Sequence, residues 1–258
     1  MKTRRRILTG IAALAALAAA PLPTWAAGEK LTVVATTGMI ADTARRIGGD
    51  LAEVRALMGP GVDPHAYRQT RTDIVAMVRA DLCLCYCLCL VAQMEDGLVD
   101  IASRTTVRAV AQAVPQEKLV AHDDYADRFD PHVWMDPALW RDVAIDVRDT
   151  MIELVPENAE TYTSNADAFL ADIDALLIYS SEALASVPEE ARVLITAHDA
   201  FNYFGSAYGF EVIGIQGIST ESEAGLNRIT SLVDMLVTRD IKSVFVESSV
   251  SDRSIRAL

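Results

Sequence analysis

Between Pro156 and Pro188 the chain runs without a single glycine or proline. A helix filling residues 157–187 would be about 45 Å long, long enough to run along a whole two-lobed molecule. Pro156 fits the first turn of such a helix. The flanking sequence reads differently. Short apolar runs at 31–37, 51–58, 82–90 and 105–111 suit strands, with helices at 39–47 and 72–79 between them. Gly48-Gly49 ends the first helix, Thr70 or Thr72 can cap the second, and the 82–90 run leads toward a helix near Gln93. Asp136-Pro137 opens a further helix whose apolar positions keep helical spacing to residue 154. After Pro188 the alternation resumes, with strands at 192–197, 211–216 and 243–247 and helices at 200–208 and 223–239. Strands alternating with helices predict an α/β fold with mainly parallel sheets flanked by helices. The expected organisation is an N-terminal lobe over 27–155, a linker helix over 156–188 and a C-terminal lobe over 189–258. That second lobe reads as incomplete, because residues 254–258 look like the start of a helix. A truncated sequence is the expectation.

Residues 1–26 read as an export signal. Lys2, Arg4, Arg5 and Arg6 precede an apolar run over 7–20, then Pro21, Pro23 and small residues near Ala26. The run Thr3-Arg4-Arg5-Arg6-Ile7-Leu8 also resembles a twin-arginine signal, so either export route fits. Cleavage is expected near Ala26, with no cysteine there to carry a lipid, and the mature chain is expected in a periplasm. A formal net charge of −13 argues against nucleic acid or an anionic membrane as partner.

Cys83, Cys85, Cys87 and Cys89 are spaced by two. On an extended strand all four share one face, and neighbours along a strand are poorly placed to bond to each other. Two readings stay open: small buried hydrophobes, which the straight-strand geometry favours, or a thiolate metal site, which needs converging ligands.

Three of the four histidines sit where predicted elements end. His65 lies in Gly61-Val62-Asp63-Pro64-His65-Ala66-Tyr67, and His132 in Asp130-Pro131-His132-Val133-Trp134-Met135-Asp136-Pro137. His198 lies in Thr196-Ala197-His198-Asp199-Ala200-Phe201, at the carboxyl end of a strand. Open α/β sheets bind ligands there. The phrase Asp-Pro-His occurs twice; its proline stiffens the backbone, and its aspartate can orient a ligating imidazole. Any one histidine alone is more simply a surface or core residue. His122 reads as a solvated loop residue, or with Asp123, Asp124 and Asp127 as a weak metal-capturing loop.

These three segments resemble the signature segments of the zinc/manganese periplasmic solute-binding proteins of metal-importing ABC transporters, the ZnuA/TroA-like cluster A-I family. Residues 215–225 (Ile215-Gln216-Gly217-Ile218-Ser219-Thr220-Glu221 onward) and 244–253 are similar to further family segments. The resemblance implies two α/β lobes joined by a rigid helix, with a divalent metal between them. It implies that His65 and His132 ligate from the first lobe and His198 from the second, and that an ABC membrane permease is the partner of a monomeric, non-enzymatic binding protein. It further implies a fourth, carboxylate ligand beyond the end of this chain, with Glu247 the best acid available here. Histidine as third ligand suits zinc, while the short stretch 122–130, in place of a long His/Asp-rich loop, suits manganese. The stretch 85–91 departs from the family's usual Asn-Gly-Leu-x-Leu-Glu-like segment. A periplasmic zinc hydrolase is the alternative reading, but no His-Glu-x-x-His motif is present. An adhesin-like role is a third, against which the expected lack of a lipid anchor argues.

Overall fold

The computed structural model describes residues 28–258 except Cys89, residues 123–127, residues 222–223 and Ser254. The export signal read over residues 1–26 lies outside the described residues, as do Asp123, Asp124 and Asp127. Four strands form the first sheet: β1 (Leu31–Ala35), β2 (Ala52–Ala56), β3 (Leu82–Cys85) and β4 (Thr106–Ala109). Their order is β2-β1-β3-β4, and each neighbouring pair is parallel. Val34 pairs with Arg55 on one side and Cys83 on the other. A parallel sheet is covered on both faces, so its inner strands are continuous apolar runs. β3 is buried at every position, whereas the edge strands β2 and β4 alternate between partly buried and exposed residues.

Helix α1 (Gly38–Gly48) lays Ile40, Ala41, Ala44 and Ile47 against this sheet at the three-and-four spacing of an amphipathic helix. Helix α2 (Arg71–Arg79) begins at a capping box: Thr70 Oγ1 accepts from the Asp73 amide, and the Asp73 carboxylate accepts from the Thr70 amide at 2.8 Å. The short helix α3 (Glu95–Ile101) follows. Helix α4 (Pro137–Leu154) starts as the Asp136-Pro137 pair predicts, with Asp136 accepting from the Ala138 amide at 2.8 Å. Buried Trp140 on α4 donates its indole N–H to Thr43 Oγ1 of α1.

The glycine-free stretch forms helix α5 over Ala159–Ala185, preceded by a single tight turn at Pro156–Asn158. Its 27 residues span about 40 Å. Tyr162, Ala166, Leu170 and Ile173 form one buried stripe along its first half, while Leu176, Ile178 and Tyr179 in the second half are exposed. The helix is therefore packed against the first core for half its length and projects toward the second sheet.

That second sheet pairs β5 (Val193–Thr196) with β6 (Glu211–Gly214) in parallel. Helix α6 (Asn202–Tyr208) closes on Gly209, whose φ of 70° is the left-handed cap that glycine adopts without strain. Helix α7 (Leu226–Thr238) completes the element list. The core here is small: Ile195, Ile215 and Leu232, with Val193, Ile213 and Ile229 packed beside them.

The strands are trimmed at their ends relative to the expected bounds, and two depart from them by more. The 82–90 strand stops at Cys85, and Cys87 (φ 58°) and Leu88 (φ 49°) then turn the chain through left-handed backbone. No glycine signals that turn. The predicted 243–247 strand reduces to one parallel bridge, Thr196 to Phe245. Phe245 and Val246 are about half exposed or more, and of this run only Val244 is a hydrophobic packed on the small second core, which leaves little to hold a strand. Among the described residues no helix is long and apolar enough to cross a membrane.

Candidate metal centre

Each of the three histidines follows the architecture. His65 sits in the turn-rich loop after β2, where Pro64 stiffens the backbone and Asp63 Oδ1 accepts the His65 amide at 2.9 Å. His132 precedes the tight turn Val133–Met135, and Asp130 Oδ1 accepts its amide at 2.8 Å. The two Asp-Pro-His segments thus fold alike, with the aspartate side chain closing a short ring onto the histidine two residues later. His198 stands two residues beyond the end of β5. Its carbonyl accepts from Thr196 Oγ1 at 2.7 Å, and the next residue, Asp199, donates its amide to Gly217 O at 3.2 Å. Gly214 at the end of β6 makes room for this loop: a Cβ there would lie 2.6 Å from the Asp199 amide nitrogen.

The three rings meet at one point. Their centroids are 5.3–5.6 Å apart, and one nitrogen from each lies within 4.8 Å of the others. His65 Nε2 and His132 Nε2 are 3.2 Å apart. Two nitrogens bound at about 2.1 Å to one tetrahedral ion would lie roughly 3.4 Å apart, so the pair is spaced for a shared cation. Relative exposure is 7% for His65, 0% for His132 and 7% for His198. Among the described residues no other cluster of histidine, cysteine and carboxylate side chains converges this way.

Carboxylates set the orientation of two rings. Asp130 Oδ1 lies 2.7 Å from His132 Nδ1, and Glu247 Oε2 lies 2.6 Å from His198 Nδ1. At His132 this places the imidazole proton on Nδ1 and leaves the Nε2 lone pair facing His65 Nε2; at His198 the carboxylate lies beside Nδ1 at ion-pair distance. Glu247 also accepts the His198 amide at 3.0 Å. Both its oxygens are thus engaged with His198, and it acts here as the orienting group for that ring. Burial acts to raise both acids. Contact with His132 overcomes it at Asp130, and contact with His198 at Glu247, so both carboxyls sit below the usual carboxylate range. His65 moves the other way. Burial first, then the nearby rings of His132 and His198, push it down to about 4 against the opposing pull of Asp63 and Asp130. The trio therefore holds a neutral His65 ring through ordinary physiological pH.

The start of α6 and the loop after β6 reach back to the first lobe. Asn202 Nδ2 donates to Asp130 Oδ2 at 3.0 Å, and Tyr203 OH donates to the Asp130 carbonyl at 2.8 Å. Thr220 Oγ1 donates to Asp63 Oδ2 at 2.6 Å. Asn202, Tyr203 and Thr220 carry no sequence signal for this role; only long-range packing reveals it. His132 also packs edge-on against Trp134, and Trp134 edge-on against buried Tyr86. His122 is half-buried, with its amide on Arg128 O, and lies outside the trio. Cys83 is a core residue whose thiol donates to Met77 O, with burial raising it to about 12. No described cysteine joins a metal-type cluster.

The sequence profile of the ZnuA family, zinc-uptake complex component A periplasmic, matches residues 33–258. The chain belongs to the ZnuA family. Among its relatives is the manganese-binding lipoprotein MntA of Bacillus subtilis, 43% identical over 232 residues that cover 90% of this chain and 76% of the relative. The zinc-binding protein TroA of Treponema pallidum is 37% identical over 90% of this chain and 75% of its own length. The solved structure of that periplasmic zinc-binding TroA superposes with a TM-score of 0.85, covering 88% of this chain and 82% of the other. The Fe(III)-bound YtgA of Chlamydia trachomatis superposes with a TM-score of 0.81 at 25% identity, over 88% and 84%. These relatives of the ZnuA-family chain are named for binding metals, not for catalysis, and the hydrolase alternative finds no support among them.

Proposed function

We propose that this ZnuA-family chain captures one divalent transition metal, zinc or manganese, in the periplasm and delivers it to an ABC import permease. His65, His132 and His198 supply the nitrogen ligands, and the metal is cargo. The chain works as a monomer, exported by a signal cleaved near Ala26, with residues 27–155 and 189–258 as the lobes and 156–188 as the rigid connector. The observation that carries this reading is the convergence of three buried imidazoles, contributed by both sheets, with nitrogens within 4.8 Å of one another. Three imidazole nitrogens with two carboxylates behind them form a borderline-soft site that suits zinc, and manganese is accommodated where oxygen ligands complete its shell. Ligands divided between two sheets suit capture and release, because parting the sheets dismantles the site.

Chelator-competition titrations with zinc and with manganese, on the mature chain and on His132→Ala, test the proposal. One ion per chain is expected. His132→Ala is expected to lose more than about 100-fold in affinity, since even the outer partner of a ligating histidine is worth about 10–100-fold. Unchanged affinity in His132→Ala would rule out the trio as the site.

A further inference from the structure

The turn after β3 does something the period-two cysteine pattern does not suggest. On a continuous strand Cys85 and Cys87 would point the same way without meeting. Here the strand ends at Cys85, and the left-handed backbone at Cys87 and Leu88 folds the chain back, so that the two sulfurs lie 2.7 Å apart. Closing a disulfide of about 2.05 Å from there needs only a small displacement. The same two residues line an open cavity of about 600 Å³ with Leu88, Val99, Gln112 and Arg128. Cys85 is buried, whereas Cys87 is half-exposed toward that cavity. A small disulfide oxidant can reach Cys87 through the cavity.

We infer that Cys85 and Cys87 are an oxidisable dithiol that closes to an intrachain disulfide in an oxidising compartment. The oxidant is an external disulfide of the glutathione or thiol-oxidoreductase class. Cys87 thiolate attacks it, forming a mixed disulfide and releasing one thiol. Cys85 then displaces the second, so two S–H bonds are lost, one S–S bond forms, and two electrons and two protons leave with the reduced oxidant.

The test uses the full chain carrying Cys83→Ala and Cys89→Ala, so that only this pair remains. After equilibration with oxidised glutathione, the protein is acid-quenched, unfolded and labelled with a maleimide, and its intact mass is measured with and without prior reduction. The expected result is no label before reduction and two labels after. Two labels before reduction would overturn the inference. So would a retained glutathione adduct on one cysteine, or a disulfide-linked dimer. If the Cys83→Ala background fails to fold, Cys83→Val keeps the buried volume, and the same outcomes decide.

Discussion

Replacing Asp130 by alanine should weaken metal capture without touching a ligand. The side chain has 0% exposure, and its two oxygens serve three groups: His132 Nδ1 at 2.7 Å, the His132 amide at 2.8 Å, and Asn202 Nδ2 at 3.0 Å. Alanine strands the two buried His132 donors and the half-buried Asn202 amide, and each stranded buried donor costs about 1–3 kcal/mol. Some of that is recovered if water enters the space, so a stability loss of about 3–5 kcal/mol is expected in urea unfolding of the metal-free protein. Metal affinity suffers separately. Without Oδ1 nothing fixes the His132 tautomer, and the inward lone pair on Nε2 is present only part of the time. A loss of about 10–100-fold, or roughly 1.4–2.8 kcal/mol, is expected in chelator competition. Asp130→Asn separates the two effects. Its amide oxygen can still accept from His132, but its NH2 group faces the donating Asn202 amide. It should lose less stability than alanine while still binding more weakly than wild type. If Asp130→Ala folds and binds zinc or manganese within twofold of wild type, carboxylate orientation of His132 is irrelevant and the reasoning fails.

The remaining expectations follow from single contacts. His65, lowered to about 4 from an unfolded value near 6.5, binds fewer protons folded than unfolded; the metal-free protein therefore loses stability as pH falls from 6.5 to 4, by at most about 3 kcal/mol, and is unaffected by this group above 6.5. Urea midpoints across that range should flatten in His65→Gln, and an unchanged slope would refute the assignment. Thr220→Val removes the 2.6 Å hydrogen bond to Asp63, which also holds the His65 amide. Stopped-flow chelation should show metal release accelerated by about threefold to tenfold, the equivalent of one hydrogen bond, with little change in the melting of the metal-free form. Thr70→Ala should cost about 1 kcal/mol in chemical unfolding through loss of the α2 cap; no loss would show that Asp73, which also takes the Tyr67 hydroxyl at 2.8 Å, holds the helix start alone.

Much of the fold is legible in the sequence because it is encoded locally. Asp136-Pro137 starts α4 because a carboxylate cap and a residue without an amide hydrogen both suit a first turn. The run between Pro156 and Pro188 is helical because nothing in it breaks a helix, although only half of it finds a core to pack on. The failures have causes too. Alternating Cys and Leu reads as strand through residue 90, yet the tyrosine between Cys85 and Cys87 is drawn into the core, where its amide bonds Thr36 Oγ1 at 3.1 Å, and the chain turns there. Phe245 pairs by one bridge only: Val244 packs on the small second core, while Phe245 and Val246 stay exposed.

Read alone, the sequence determined that three histidines end structural elements, that two of them follow Asp-Pro, and that a long helix separates the flanking α/β segments. These are matters of periodicity, backbone stiffness and hydrogen bonds two or three residues long. The tertiary structure decided that the histidines meet, that His65 and His132 face each other through Nε2, and that Glu247 lies against His198. Those outcomes rest on pairs far apart in the chain: His65 and His132 are separated by 67 residues, His198 and Glu247 by 49, and Asp63 and Thr220 by 157. Contacts at such separations exist only once the cores have packed and fixed the loop ends. A carboxylate then selects a tautomer only where burial has removed the water that would otherwise compete for the same proton.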